Sequence, residues 1–392
     1  MQVLRLLVTA AMPFLAAAQA QCSLASRASC ATLSSCKWCA AESYCAPRSE
    51  ACGGRKSGLG SGNLVNGLVA ATFTPFDEDF EIATEQVGKQ AAWLNATGVE
   101  WVFVSGTTGE SVKLTLAERM SQTELWINAA RAHGLRTIIH VGSESIDTAR
   151  LLAQHAEKHG ADAFAAMPPV FFQPANTEAL ARTMASVASA APTLPFLYYH
   201  IPSMTHVAFP DGMFGFVQEM DKANVGNFRG VKYTGLYTYP GFMDVSRILN
   251  YKGGKYEVLC GRDEMMIEAI TAGITGFVGS QYNMVGDLYN AIRTKMAAGD
   301  VASARALQYT AIELISAWSD VPAGVNGCKN VFNCLPEAAG APVVGDSRLP
   351  STPISDDAKD ELTARLKAWC ASGATAGDWP NMSRLCQGLN SA

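Results

Sequence analysis

Lys232 closes a short apolar run, Phe228-Arg229-Gly230-Val231-Lys232, and is followed by Tyr233-Thr234. An ammonium at the end of a buried strand is poorly solvated, so its pKa falls toward roughly 7–8, and the free amine can attack a ketone to form a Schiff base. A strand-end lysine can also snorkel to water. What decides between these fates is the set of polar residues at neighbouring strand ends. Ser105-Gly106-Thr107-Thr108-Gly109-Glu110 follows another apolar run and offers two hydroxyls and adjacent backbone N–H groups between glycines, a nest for a carboxylate. Tyr198-Tyr199-His200-Ile201-Pro202, Gly261-Arg262-Asp263-Glu264 and Gly279-Ser280-Gln281-Tyr282-Asn283 end three more. Singly, Tyr199 reads as a core tyrosine, Asp263-Glu264 as helix N-terminal carboxylates and Ser280 as a helix cap. Together they form a constellation around one amine.

Such residues meet only if the strands that carry them end on one face. Short β-branched or aromatic runs alternate with longer amphipathic segments from Gly67 onward, the pattern of repeated βα units. Strands are predicted at 68–73, 99–104, 137–141, 163–167, 195–199, 228–232, 256–260 and 276–278, enough for a closed parallel (β/α)8 TIM barrel with its chemistry at the strand C-termini. Thr115 with Glu118 three residues on predicts a capping box opening a helix to Ala132, and 145–159 and 176–190 read likewise. No strand signal follows Val301, so 301–392 reads as a helical extension with a helix near 355–369, and 66–300 as the barrel.

The net charge of −5 and the absence of any Lys/Arg-rich run exclude nucleic acid as a partner. Residues 1–20 carry Arg5, an apolar run from Leu6 to Ala18 and the small-x-small Ala18-Gln19-Ala20, which reads as a cleaved signal peptide rather than an anchor, leaving no membrane span. Six of the eleven cysteines fall in 21–52, a density that behind a signal peptide means a small disulfide-rich module and places the chain in the secretory pathway, secreted or luminal. A glycine- and serine-rich linker, 53–65, follows. The six histidines are scattered; even His155 and His159, four apart on a helix face, have no visible partner and read as surface residues, so no metal is expected.

Gly106-Thr107-Thr108-Gly109-Glu110-Ser111, Tyr199-His200-Ile201-Pro202, Gly230-Val231-Lys232-Tyr233-Thr234 and Gly279-Ser280-Gln281-Tyr282-Asn283, in that order and spacing, resemble the dihydrodipicolinate synthase and N-acetylneuraminate lyase family over roughly 66–318. Ala153-Gln154-His155-Ala156-Glu157 and Gly261-x-Asp263-Glu264 resemble its eukaryotic lyase branch. The synthase branch reads its substrate with an arginine where this chain has Met204, and relays protons through a tyrosine where it has Phe171. The resemblance implies a homotetramer without cofactor, cleaving N-acetylneuraminate, a 2-oxo sugar acid, to N-acetylmannosamine and pyruvate. Lys232 would form the imine, Tyr199 would move the proton, Thr107 and Thr108 would hold the carboxylate, and Asp263 and Glu264, with Gly261, Thr234 and Ser280, would line the sugar wall. A 2-keto-3-deoxy sugar-acid aldolase, a dihydrodipicolinate-synthase-like enzyme and a catalytically silent secreted binding protein are the alternatives. Separately, Cys36-Lys37-Trp38-Cys39 with Cys45 resembles the plexin/semaphorin/integrin-type cysteine-rich module.

Overall fold

Eight parallel strands close into one barrel in the computed structural model, in the order β10-β3-β4-β5-β6-β7-β8-β9. They are β3 (Gly67–Ala71), β4 (Trp101–Val104), β5 (Arg136–His140), β6 (Ala163–Ala166), β7 (Phe196–His200), β8 (Phe228–Tyr233), β9 (Glu257–Cys260) and β10 (Gly276–Gly279). The structure describes residues 36–39, 44–47, 63–208, 211–235, 238–319, 321, 327–335, 340–371 and 384–390. The chain divides into two compact units, Met1–Leu59 and Gly60–Ala392. In the first, β1 (Cys36–Cys39) and β2 (Tyr44–Pro47) form an antiparallel hairpin. The expected signal peptide, most of the cysteine-rich module and residues 53–62 of the linker lie outside the described residues.

Strand parity explains the barrel. Trp101, Phe103, Ile138, Ala163, Ala165, Leu197, Tyr199 and Leu259 fill its interior. The intervening Val102, Val104, Ile139, Phe164, Ala166, Phe196, Tyr198 and Val258 pack against the helices. β8 breaks this alternation, because Phe228 and Val231, three apart, both face the helices. A bulge accounts for it: Phe196 pairs with Phe228 but Leu197 with Gly230, leaving Arg229 as the extra residue. Gly230 has φ +155°, and a Cβ there would stand 1.9 Å from the Glu257 carbonyl oxygen, so the bulge requires glycine. Rephased in this way, β8 turns Lys232 inward and pairs it with Tyr199.

All eight predicted strands are present, with shifted ends. β4 starts at Trp101 rather than Val99, whose N–H is spent on the Leu94 carbonyl at the preceding helix end. Thr115 and Glu118 form the expected capping box, and Ser145 and Asn176 cap their helices. Beyond the barrel lie helices Val301–Ser319, Gly327–Asn333, Asp356–Ala371 and Arg384–Asn390. They are no loose extension: Leu314, Val331, Leu362, Leu366 and Leu389 join the same apolar cluster as the outer barrel face. Trp369 Nε1 donates to the Thr310 carbonyl at 2.9 Å, and Cys370 is bonded to Cys386. His155 and His159 are not the partnerless surface pair expected. Glu124, on the neighbouring helix Leu116–Ala132, reaches both, a contact between helices that sequence spacing does not reveal. No helix among the described residues is long and apolar enough to cross a membrane.

Candidate active site

Lys232 lies at the C-terminal end of β8 and is 4% exposed. Its Nζ sits 4.1 Å from the centre of the Phe103 ring and 3.8 Å from that of Tyr199. Ring faces favour a cation but replace little of its hydration. Desolvation therefore dominates and lowers the ammonium pKa from 10.5 to about 7, against an opposing pull from Asp263. Near neutral pH a large fraction of this amine is free to attack a carbonyl.

Tyr199 is wedged edge-on against Phe103 and His140. Burial raises its phenol to about 12, with the Thr107 hydrogen bond and the Arg262 charge pulling the other way, so the hydroxyl is held protonated. Its hydroxyl lies 3.2 Å from Thr107 Oγ1, and Thr108 Oγ1 lies 2.7 Å from Ser280 Oγ, two hydroxyl pairs in the cavity that Lys232 also lines. The threonine loop is held by its backbone. Ser105 and Glu110 adopt φ of +55° and +54°, and Thr74 Oγ1 donates to the Gly109 carbonyl at 2.7 Å. A Cβ on Gly109 would press on the Ser105 backbone and the Thr72 carbonyl at 3.1 Å.

The opposite wall is acidic. Asp263 Oδ2 accepts from the Gln281 N–H at 3.0 Å, and the Tyr282 hydroxyl also supports the carboxyl. Burial, reinforced by Glu264, raises this carboxyl to about 6, against the Gln281 N–H, the Lys232 charge and the Tyr282 hydroxyl. Gly279 makes room for it, since a Cβ there would fall 1.5 Å from Oδ1. Asp263 lines the cavity, where a carboxyl can accept from a ligand hydroxyl. Thr234 Oγ1 donates to the His200 carbonyl at 3.0 Å, and Arg262 Nε donates to the Thr234 carbonyl at 2.9 Å.

The nine residues singled out in the sequence, Lys232, Tyr199, Thr107, Thr108, Thr234, Gly261, Asp263, Glu264 and Ser280, all line one cavity of about 340 Å³. Among the other lining residues, Ser203, Ile315 and Trp318 were not anticipated as part of it. Ile315 and Trp318 come from Val301–Ser319, a helix whose sequence carries no signal beyond ordinary amphipathicity. Behind the threonine loop lies a second unanticipated feature. Lys329 and Glu110 form a fully buried ion pair at 3.0 Å, and Lys329 Nζ also donates to the Thr74 and Asp346 carbonyls at 2.9 and 3.2 Å. Lys113 holds the other Glu110 oxygen at 2.9 Å and donates to the Arg348 carbonyl at 2.8 Å. The loop is thereby tied to the C-terminal segment.

Comparison with known proteins agrees with this geometry. The Dihydrodipicolinate synthetase family model matches residues 64–369. Mouse N-acetylneuraminate lyase is 34% identical over 307 residues, spanning 78% of this chain and 92% of the mouse protein. N-acetylneuraminate lyase A of Xenopus laevis is also 34% identical, spanning 74% of this chain and 92% of its own length. Among solved structures, Proteus mirabilis N-acetylneuraminate lyase superposes with a TM-score of 0.71 at 30% identity, covering 78% of this chain and 99% of that one. A dihydrodipicolinate synthase superposes with a TM-score of 0.67 at 26% identity, covering 79% and 99%. A closed eight-stranded barrel with a desolvated lysine at its mouth, matched over most of its length, belongs to the dihydrodipicolinate synthetase family.

Proposed function

We propose that the chain is a Schiff-base lyase that cleaves N-acetylneuraminate to N-acetylmannosamine and pyruvate. The observation that carries the reading is the Lys232 amine, desolvated against two aromatic rings in a cavity that the Tyr199–Thr107 and Thr108–Ser280 hydroxyl pairs also line. In this reading Thr107 and Thr108 hold the substrate carboxylate and aim the C2 ketone at Nζ. Attack and loss of water give an imine, whose protonated nitrogen accepts the electron pair released when C3–C4 breaks. Because burial holds the Tyr199 phenol protonated, it accepts the C4 hydroxyl proton only as it hands its own proton on through Thr107 and the substrate carboxylate; that proton goes to C3 of the resulting enamine, and water then hydrolyses the imine to free pyruvate and the Lys232 amine. Asp263 Oδ1 accepts from a sugar hydroxyl, with Glu264, Gly261, Thr234 and Ser280 completing that wall.

Met204 lines the cleft, so the synthase's arginine is missing from the position where it would act, and this favours the lyase over the synthase. An assay of pyruvate release over N-acetylneuraminate, shorter 2-keto-3-deoxy acids and no sugar tests the reading. Release from the nine-carbon acid with the highest kcat/KM supports it; preference for a shorter acid assigns the runner-up activity, and no release with any of them makes the chain a binding protein. Two further readings belong to the proposal. Phe171 and Phe172, stacked edge-to-face and 79% and 84% exposed on the loop after β6, supply an apolar surface of the kind an oligomer covers, in keeping with a homotetramer. The Cys370–Cys386 bond and the exposed Asn95 of the Asn95-Ala96-Thr97 sequon support passage through the secretory route.

A further inference from the structure

We infer that Glu124, His155 and His159 form a divalent-metal site on the outside of the barrel, for a borderline ion of the zinc, nickel or copper class. His155 and His159 stand one turn apart on the helix Ile146–His159, and Glu124 faces them from the helix Leu116–Ala132. Their candidate donor atoms lie within 4.8 Å of one another. Glu124 Oε1 is 3.2 Å from His155 Nε2 and 3.8 Å from His159 Nε2. A tetrahedral ion with bonds near 2.0–2.1 Å separates its ligands by about 3.3 Å, so these spacings need little adjustment. The rings are stacked, 4.2 Å between centres and 29° from parallel, which brings both imidazoles to the same side.

A plain hydrogen-bonded pair is the competing explanation, and it does not fit. His155 Nε2 is buried and makes no hydrogen bond, although the carboxylate oxygen lies 3.2 Å away. One carboxylate oxygen beside two stacked imidazoles brings three candidate donor atoms around a common space, the arrangement a metal completes. Glu124 is half exposed, so water can supply the fourth ligand. The site is separate from the catalytic cleft. His159 is the last residue of its helix, which lies toward the strand N-termini, whereas Lys232 is at the strand C-terminal end. A metal there joins two adjacent helices and stabilises the barrel without entering the chemistry.

Titration of the full-length, non-reduced protein with Zn2+ by calorimetry tests the site, with His155→Ala/His159→Ala as the paired variant and circular dichroism to verify its fold. The expected result is one equivalent of Zn2+ bound by the wild type and lost in the double variant, with a Zn2+-dependent rise in melting temperature that the variant lacks. Zn2+ held by cysteines elsewhere in the chain would persist in both proteins and cancels in the difference. Glu124→Gln and His159→Gln, at more exposed positions, carry the same comparison should the double variant fail to fold; each is expected to weaken binding by more than the roughly 10–100-fold that loss of an outer-shell partner costs. Equal stoichiometry and affinity in wild type and variants would overturn the inference.

Discussion

Among the described residues two lysines are buried, and they have opposite fates. Lys329 donates to the Glu110 carboxylate and to two backbone carbonyls, so its charge is neutralised where it sits. Lys232 faces two aromatic rings, and the one carboxylate acting on its charge, Asp263, only partly offsets the burial. Both amines are shifted downward by desolvation, but at Lys329 the contacts with Glu110 oppose the shift. Burial alone does not make a nucleophile. What separates the two is whether the site offers the ammonium enough acceptors, and at Lys232 it does not.

The sharpest test removes each amine in turn. Lys232→Met is expected to abolish borohydride trapping of pyruvate and to lower kcat by at least about 10⁴-fold, on the scale of other lost covalent nucleophiles. It should not cost stability. The pKa of Lys232 is depressed in the folded chain, from 10.5 to about 7, so the unfolded chain binds more protons between those values and stability rises with pH across that window. Below about pH 7 the full penalty for burying this amine applies, and methionine removes it. A Lys232→Met melting temperature at pH 6.5 well below wild type would show that the amine is structural, like Lys329.

Tyr199→Phe keeps the ring face over Lys232 and removes only the hydroxyl near Thr107. Turnover should fall by about 10²–10⁴-fold, the usual range for loss of a proton-transfer group, while pyruvate trapping survives. Loss of trapping in parallel with turnover would mean that the phenol orders the amine rather than moves a proton. Lys329→Met, by contrast, strands Glu110. The expected cost is about 3 kcal/mol, toward the low end for an orphaned buried charge, because Lys113 still holds the other oxygen. Adding Glu110→Gln should recover part of that loss in urea denaturation. No recovery would deny that the charge is the cause.

How much of this was legible in the sequence follows from the range of the interactions. The strands, their caps and the polar residues at their ends are local patterns, and nine site residues marked by strand-end position meet in the cleft. The bulge at Arg229 was not legible, although it turns Lys232 inward, because a one-residue register shift depends on the partner strand. Glu110 and Lys329 are separated by 219 residues, and Glu124 reaches His155 and His159 across two helices. Contacts of that kind leave no spacing to read. Trp318 fails for another reason: on an amphipathic helix a tryptophan facing a cleft and one facing the core look alike.

The smallest expected effect tests the electrostatic balance around Lys232 directly. With a pKa of about 7, the free amine grows from roughly a tenth at pH 6 to roughly nine-tenths at pH 8, so the initial rate of pyruvate imine formation should rise about tenfold across that interval and flatten above it. The Asp263 charge opposes this depression. Asp263→Asn removes a negative charge that favours the ammonium, so the inflection should move to lower pH, by up to about one unit given the modest size of such partly screened interactions. The same variant keeps an acceptor at the sugar wall, which leaves trapping by pyruvate intact and isolates the charge effect. A shift to higher pH would mean that another group governs the amine. No shift would mean that Asp263 carries no charge where the amine titrates, and would widen the contrast with Lys329, whose amine is held by the Glu110 carboxylate.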